Sequence, residues 1–244
     1  MRLITGRGRS SDRPAAGTAS KAVPYRTVGL TSAVALLFVV AASHAAAGPV
    51  NGTVRTVARS GVTPSTVVVY AEPVDAPAAR AARKVALSQK NKTFQPRVLA
   101  VPVGSSVEFP NNDGIFHNVF SLSTPQPFDL GLYRAGETRQ RTFTSPGIYR
   151  VFCNIHPQMT AMIVVTPSAF TTIAGADGRF TLDLPPGRYK ITALSERATA
   201  VSADATSTAG ASTVADLTLD ETSWTFAQHK NKFGQDYPAA AYQK

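Results

Sequence analysis

From residue 48 onward, hydrophobic positions fall in short runs or alternate with polar ones. No segment keeps apolar residues at the three-and-four spacing of an amphipathic helix. The runs are Thr66-Val67-Val68-Val69-Tyr70, Val98-Leu99-Ala100-Val101, Val107-Glu108-Phe109, Tyr149-Arg150-Val151-Phe152, Met162-Ile163-Val164-Val165, Phe180-Thr181-Leu182 and Tyr189-Lys190-Ile191-Thr192. Turn formers separate them: Pro110-Asn111-Asn112-Asp113-Gly114, Pro146-Gly147, Asp177-Gly178 and Pro185-Pro186-Gly187. Many short β-branched and aromatic runs between such turns predict an all-β protein of antiparallel sandwiches. Residues 71–84 are rich in Ala and Pro and carry basic side chains, and 77–84 read as a linker. Residues 223–244 contain Trp224, Phe226, Phe233 and Tyr237 without any period and predict an irregular packed tail.

The first 47 residues differ. A basic stretch leads into VGLTSAVALLFVVAASHAAA (28–47), which ends on small residues. That is the layout of a secretory signal with a long basic leader, with an A-x-A cleavage site at Ala45-Ala46-Ala47 or Ser43-His44-Ala45. An uncleaved segment is the sole way this chain would touch a membrane, because its apolar core is marginal for the ~20 residues of a span. Either outcome places the remainder outside the cytoplasm, in the periplasm or the extracellular space.

The formal charge of +10 suggests nucleic acid until it is located. Residues 1–47 hold six basic residues and one acid, which leaves 19 basic and 14 acidic residues, or +5, over the remaining 197. No run of five or six basic residues survives there, so a nucleic-acid partner is excluded. The single Cys rules out an internal disulfide and any zinc site built from Cys pairs. A lone thiol in an oxidising compartment must be buried, dimer-forming or used in chemistry.

Its neighbours point to chemistry. Cys153-Asn154-Ile155-His156-Pro157-Gln158-Met159 is a short loop carrying a thiol, an imidazole and a thioether, and His117 lies 36 residues upstream beyond a turn. Taken singly, His117 reads as a turn residue, Cys153 as a small core residue and Met159 as a gap filler. Together, two His, one Cys and an axial Met form the ligand set of an electron-transfer copper site. Met162 is the alternative axial donor, but its place in an alternating strand makes it a packing residue.

Residues 85–166 resemble a cupredoxin, a blue-copper domain of the amicyanin and plastocyanin type, and its short-loop amicyanin-like branch above all. The resemblance rests on Phe94-Gln95-Pro96, Val103-Gly104-Ser105-Ser106-Val107, Asn112-Asp113, His117-Asn118, Phe128-Asp129, Gly136, Phe143, Pro146-Gly147 and the C-x-x-H-P-x-M loop. It implies a Greek-key β-sandwich with one mononuclear type 1 copper held by His117, Cys153, His156 and Met159. It also implies that Asn118 ties the His117 and Cys153 loops together, and that a redox protein docks near His156 and Pro157. Ile155 stands where the amicyanin-like loop usually has Pro, which places an extra N–H near the sulfur.

The pattern Asp177-Gly178-Arg179-Phe180 … Pro185-Pro186-Gly187-Arg188-Tyr189 resembles a carboxypeptidase regulatory-like, transthyretin-related β-sandwich. That family opens with a G-x-V strand, a turn and a valine-rich strand, which Gly52-Thr53-Val54, Gly61 to Pro64 and Val67 to Tyr70 fit. The second sandwich is therefore expected to be split, with 50–76 and 167–222 flanking an inserted 85–166. The resemblance implies an accessory module, and no nucleophile–base or carboxylate pair suggests an enzyme. The leading expectation is an exported one-electron carrier. Its rivals are a copper-binding or storage protein without a redox partner, and a structural or adhesive β-protein.

Overall fold

The structure is a computed structural model and describes residues 48–211, 213–238 and 241. The expected signal segment, 1–47, lies outside the described residues. Among the described residues every regular element is a strand, in keeping with the all-β expectation, and no helix is long and apolar enough to cross a membrane. The strands are β1 (Gly48–Val57), β2 (Val68–Pro73), β3 (Lys84–Ala86), β4 (Ser88–Lys90), β5 (Thr93–Gln95), β6 (Val98–Pro102), β7 (Ser106–Pro110), β8 (His117–Ser121) and β9 (Phe128–Tyr133). They continue as β10 (Thr138–Thr142), β11 (Gly147–Cys153), β12 (His156–Thr166), β13 (Thr171–Ile173), β14 (Arg179–Leu184), β15 (Gly187–Leu194), β16 (Val201–Ser207), β17 (Thr213–Val214) and β18 (Leu217–Asp220).

Two sandwiches result. In one, the sheet β6-β12-β11-β8-β9 faces the sheet β10-β7-β3 across Leu87, Phe109, Val119, Tyr133, Phe143, Tyr149 and Val151. In the other, β1 pairs with β14, β17 and β18, and this layer faces β13-β2-β15-β16. β1 and β2 precede the first sandwich in sequence but pair with strands that follow it. Residues 77–83 form no strand, and Lys84, the expected last residue of the linker, opens β3 against Ser106.

Both sandwiches turn the same corner. Pro146-Gly147-Ile148-Tyr149 and Pro186-Gly187-Arg188-Tyr189 each place a Gly at φ near 150°, a conformation that a Cβ disfavours. The Tyr hydroxyl then donates to the carbonyl four residues back, Ser145 at 3.0 Å and Pro185 at 2.9 Å.

β12 serves two cores because its side chains alternate. Met159, Ala161, Ile163 and Val165 enter the first sandwich. Met162 and Val164 face the other way and meet Val68, Val98 and Leu194 between the two sandwiches. Each fully buried side chain of this size contributes about 1.5–3 kcal/mol. Arg97 adds a two-pronged ion pair to Glu196, at 2.8 and 2.9 Å, across the same seam.

Candidate metal centre

Three strand ends meet at one edge of the first sandwich. β8 begins with His117, β11 ends with Cys153 and β12 begins with His156. β11 and β12 are joined through Asn154 and Ile155 alone, and a bulge between Phe152 and Cys153 shifts the register there. The three extra residues on β12, Pro157 to Met159, re-aim the side chains at the strand end. β8 lies on the other side of β11, with Phe120 opposite Phe152. The sheet thus brings residues 36 positions apart onto one spot.

The donor atoms converge. Cys153 Sγ lies 3.7 Å from His117 Nδ1 and 3.7 Å from His156 Nδ1, and all three atoms lie within 4.8 Å of one another. The His rings meet edge to face at 4.9 Å. Cys153 and His117 are fully buried, whereas His156 is partly exposed. Two imidazole nitrogens and one sulfur in a largely buried cluster fit copper, since sulfur suits Cu(I) and imidazole suits both oxidation states. Met159 is buried in the same cluster as Cys153, while Met162 is buried on the opposite face of β12.

The surroundings prepare the donors. Asp113 Oδ2 lies 2.7 Å from His117 Nε2, so the ring donates there and keeps its Nδ1 lone pair for a metal. Burial works against the Asp113 carboxylate. The N–H groups of Lys92 and Asn91 and the His117 ring outweigh it and hold the carboxyl below its usual range. The thiol of Cys153 is pushed up by burial, against the opposing pull of the N–H groups of Asn118, Ile155 and His156. Of these, the Asn118 N–H makes a hydrogen bond, 3.4 Å to Sγ. Burial therefore favours the neutral thiol, and a bound cation would favour the thiolate. His156 is held below the usual imidazole range by burial, then by His117 and Lys92, with Asp113 opposing. It presents a neutral ring to a metal.

Asn118 also joins the loops through its side chain. Its Oδ1 accepts from the Asn154 N–H at 3.3 Å, and its Nδ2 donates to Asp129 Oδ1 at 2.7 Å and to the Gly131 carbonyl at 2.9 Å. Exposed Ile115, Phe116 and Ile155 flank the two His ligands in sequence. Pro157, expected at the docking surface, is buried instead. The tail passes here, and His229 Nε2 donates to the Pro157 carbonyl at 2.7 Å. The sequence reading missed the roles of Asp113 and Asp129, although both stand in motifs it quoted. It also missed His229 and Lys232, for which no periodicity or motif gave a signal.

A family model for copper binding proteins, the plastocyanin/azurin family, matches residues 81–166. Plastocyanins of Ulva arasakii and Ulva pertusa are each 30% identical over 82 residues, which covers 30% of this chain and 84% of the relative. A purple cupredoxin from Nitrosopumilus maritimus is similar over 34% of this chain and 98% of its own, at 24% identity and a TM-score of 0.31. A Cu-containing nitrite reductase from Thermus scotoductus SA-01 is 34% identical over 39% of this chain, with a TM-score of 0.34. The match spans 25% of the reductase's length.

Proposed function

This chain belongs to the plastocyanin/azurin family of copper-binding proteins, and on that premise we propose that it is an exported type 1 copper protein that carries single electrons. The observation that carries the reading is the placement of two imidazole Nδ1 atoms, each 3.7 Å from the sulfur of the chain's one cysteine. Copper is the cofactor, and when bound it supplies a reversible one-electron couple between Cu(II) and Cu(I).

The residues do the rest. His117, Cys153 and His156 would supply the three strong donors to copper, and Met159 would add a weak thioether donor. The ligands sit at ends of paired strands, so the scaffold holds one geometry and little needs to move when the charge changes. Burial of Cys153 and His117 keeps water off the sulfur. The Asn118 N–H withdraws charge from the thiolate. Partly exposed His156, with exposed Ile155 before it in sequence and exposed Ile115 and Phe116 before His117, is the proposed exit for the electron and the dock for a redox protein. Export rests on the basic and apolar layout of residues 1–47. The second sandwich is read as an accessory module on the resemblance noted above.

The test is the spectrum and redox behaviour of the Cu(II)-loaded chain. An intense visible thiolate-to-copper band with the small copper hyperfine splitting of a type 1 site is expected, followed by rapid reversible exchange with a small redox protein. A colourless protein that holds copper only as Cu(I) would overturn the carrier in favour of storage.

A further inference from the structure

Residues 223–238 form no strand, yet they run back over the hairpin that joins β11 to β12. The His229 ring stacks on Phe152, the residue before Cys153, at a centroid distance of 3.9 Å and 17° between planes. Its Nε2 holds the carbonyl of Pro157, the residue after His156. Three residues on, Lys232 makes two contacts of its own. Its N–H donates to Asn154 Oδ1 at 3.0 Å, and its Nζ lies 2.8 Å from Asp129 Oδ2.

Those two partners converge on one residue. Asp129, through its other oxygen, and Asn154, through its N–H, both hold the side chain of Asn118. The Asn118 backbone N–H is the one that bonds the Cys153 sulfur. The tail therefore grips two of the three groups that hold Asn118, the residue whose amide faces the thiolate.

We propose that Lys232 is a positioning residue of the metal centre, acting through Asp129 and Asn154 on Asn118, with His229 as the anchor that keeps it there. The proposal rests on the copper reading for its redox consequence, while its structural part holds for the metal-free chain. The electrostatic reasoning is direct. Burial alone would raise the Asp129 carboxyl, but Lys232, Asn118 and the Gly131 N–H outweigh it, so Asp129 is an anion. It bonds the residue that bonds the sulfur, and the Lys232 ammonium offsets its charge. Without that ammonium, negative charge beside the centre is uncompensated and favours Cu(II) over Cu(I). The pair is partly exposed, so added salt screens the effect.

The experiment uses the copper-loaded chain with Lys232→Met, which keeps the backbone bond to Asn154 and removes the charge. A downward shift of the midpoint potential is expected, with the visible band retained, a smaller shift at high salt and recovery of the parent value in Lys232→Arg. An unchanged potential overturns the proposal, and so does an equal fall in Lys232→Arg. The metal-free chain gives a second readout by amide hydrogen exchange. Faster exchange at Asn118 and Asn154 in His229→Ala is expected, and unchanged rates overturn the positioning role. If the parent chain shows no type 1 spectrum, the copper reading fails, and the exchange measurement still decides whether the tail orders Asn118.

Discussion

The backbone N–H of Asn118 donates to the sulfur of Cys153 across 3.4 Å, although 35 residues separate the two. The bond exists because β8 and β11 are neighbours in one sheet and end at the same edge. Asn118 is fixed in turn by Asp129, Gly131 and Asn154. The sulfur thus faces a donor held from three sides, and the first prediction concerns that sulfur.

Cys153→Ser should abolish the intense visible band, because the band requires a copper–sulfur bond. The fold should persist, since Ser is close to isosteric and Asn118 can donate to its hydroxyl. Absorption spectra of the copper-loaded variant check this, and an unchanged colour would remove the basis of the copper assignment.

The two methionines of β12 should behave differently. Met159 shares a core with Cys153, so Met159→Leu should keep copper bound and raise the potential, because losing a weak donor disfavours Cu(II). Met162 lies between the sandwiches, so Met162→Leu should cost about 1 kcal/mol of stability and leave the potential alone. Voltammetry and thermal melts separate the two, and the reverse pattern would make Met162 the axial donor.

Ile155 offers an N–H that a Pro at this position would lack, and this amide pulls against the burial that raises the Cys153 thiol. Each donor to the thiolate withdraws electron density and favours Cu(I). Ile155→Pro should therefore lower the midpoint potential while copper stays bound. A potential equal to the parent's, with the spectrum intact, would show that this N–H does not tune the site.

Acid should weaken the metal-free protein in two stages. His156 is held below the usual imidazole range, so the unfolded chain takes up a proton near pH 6.5 that the folded chain resists. Stability falls as pH drops from there through the folded value. Asp113 is also held low, so its contribution is present above the unfolded carboxylate value of about 3.9 and is lost as pH falls through the folded one. Denaturant melts between pH 7 and pH 3 check this. His156→Gln should remove the upper stage only, and a pH-independent midpoint would contradict both.

The pairing of β1 and β2 with strands beyond residue 170 makes a fragment test decisive. We propose that residues 50–76 and 167–222 form one folding unit around an inserted copper domain. A fragment of 81–166 should fold and take up copper, because both its sheets and its core are its own. A fragment of 167–222 should not fold, because it lacks β1 and β2 and exposes the edges they cover. Circular dichroism of the two fragments decides it, and a folded 167–222 would point to a tandem arrangement.

Much of this protein was legible along the chain because the relevant signals are local. Alternation and turn residues mark strands wherever they occur, and both P-G-x-Y corners stand in the sequence as written. Cys153, His156 and Met159 fall within one loop and strand start, so their spacing alone suggested a ligand set. Other features depend on where strands pass one another, and no local pattern records that. Alternation puts Met159 and Met162 on opposite faces of β12, but only the packing decided which face holds Cys153. Asp129 became a partner of Asn118 because β9 pairs with β8. The tail is the clearest case. His229 and Lys232 sit in a segment without period or motif, and their place against Phe152, Pro157, Asn154 and Asp129 comes from long-range contacts across as many as 103 residues. Contacts of that range depend on the shape of the assembled surface, so tertiary structure alone turned an irregular tail into a neighbour of the metal centre.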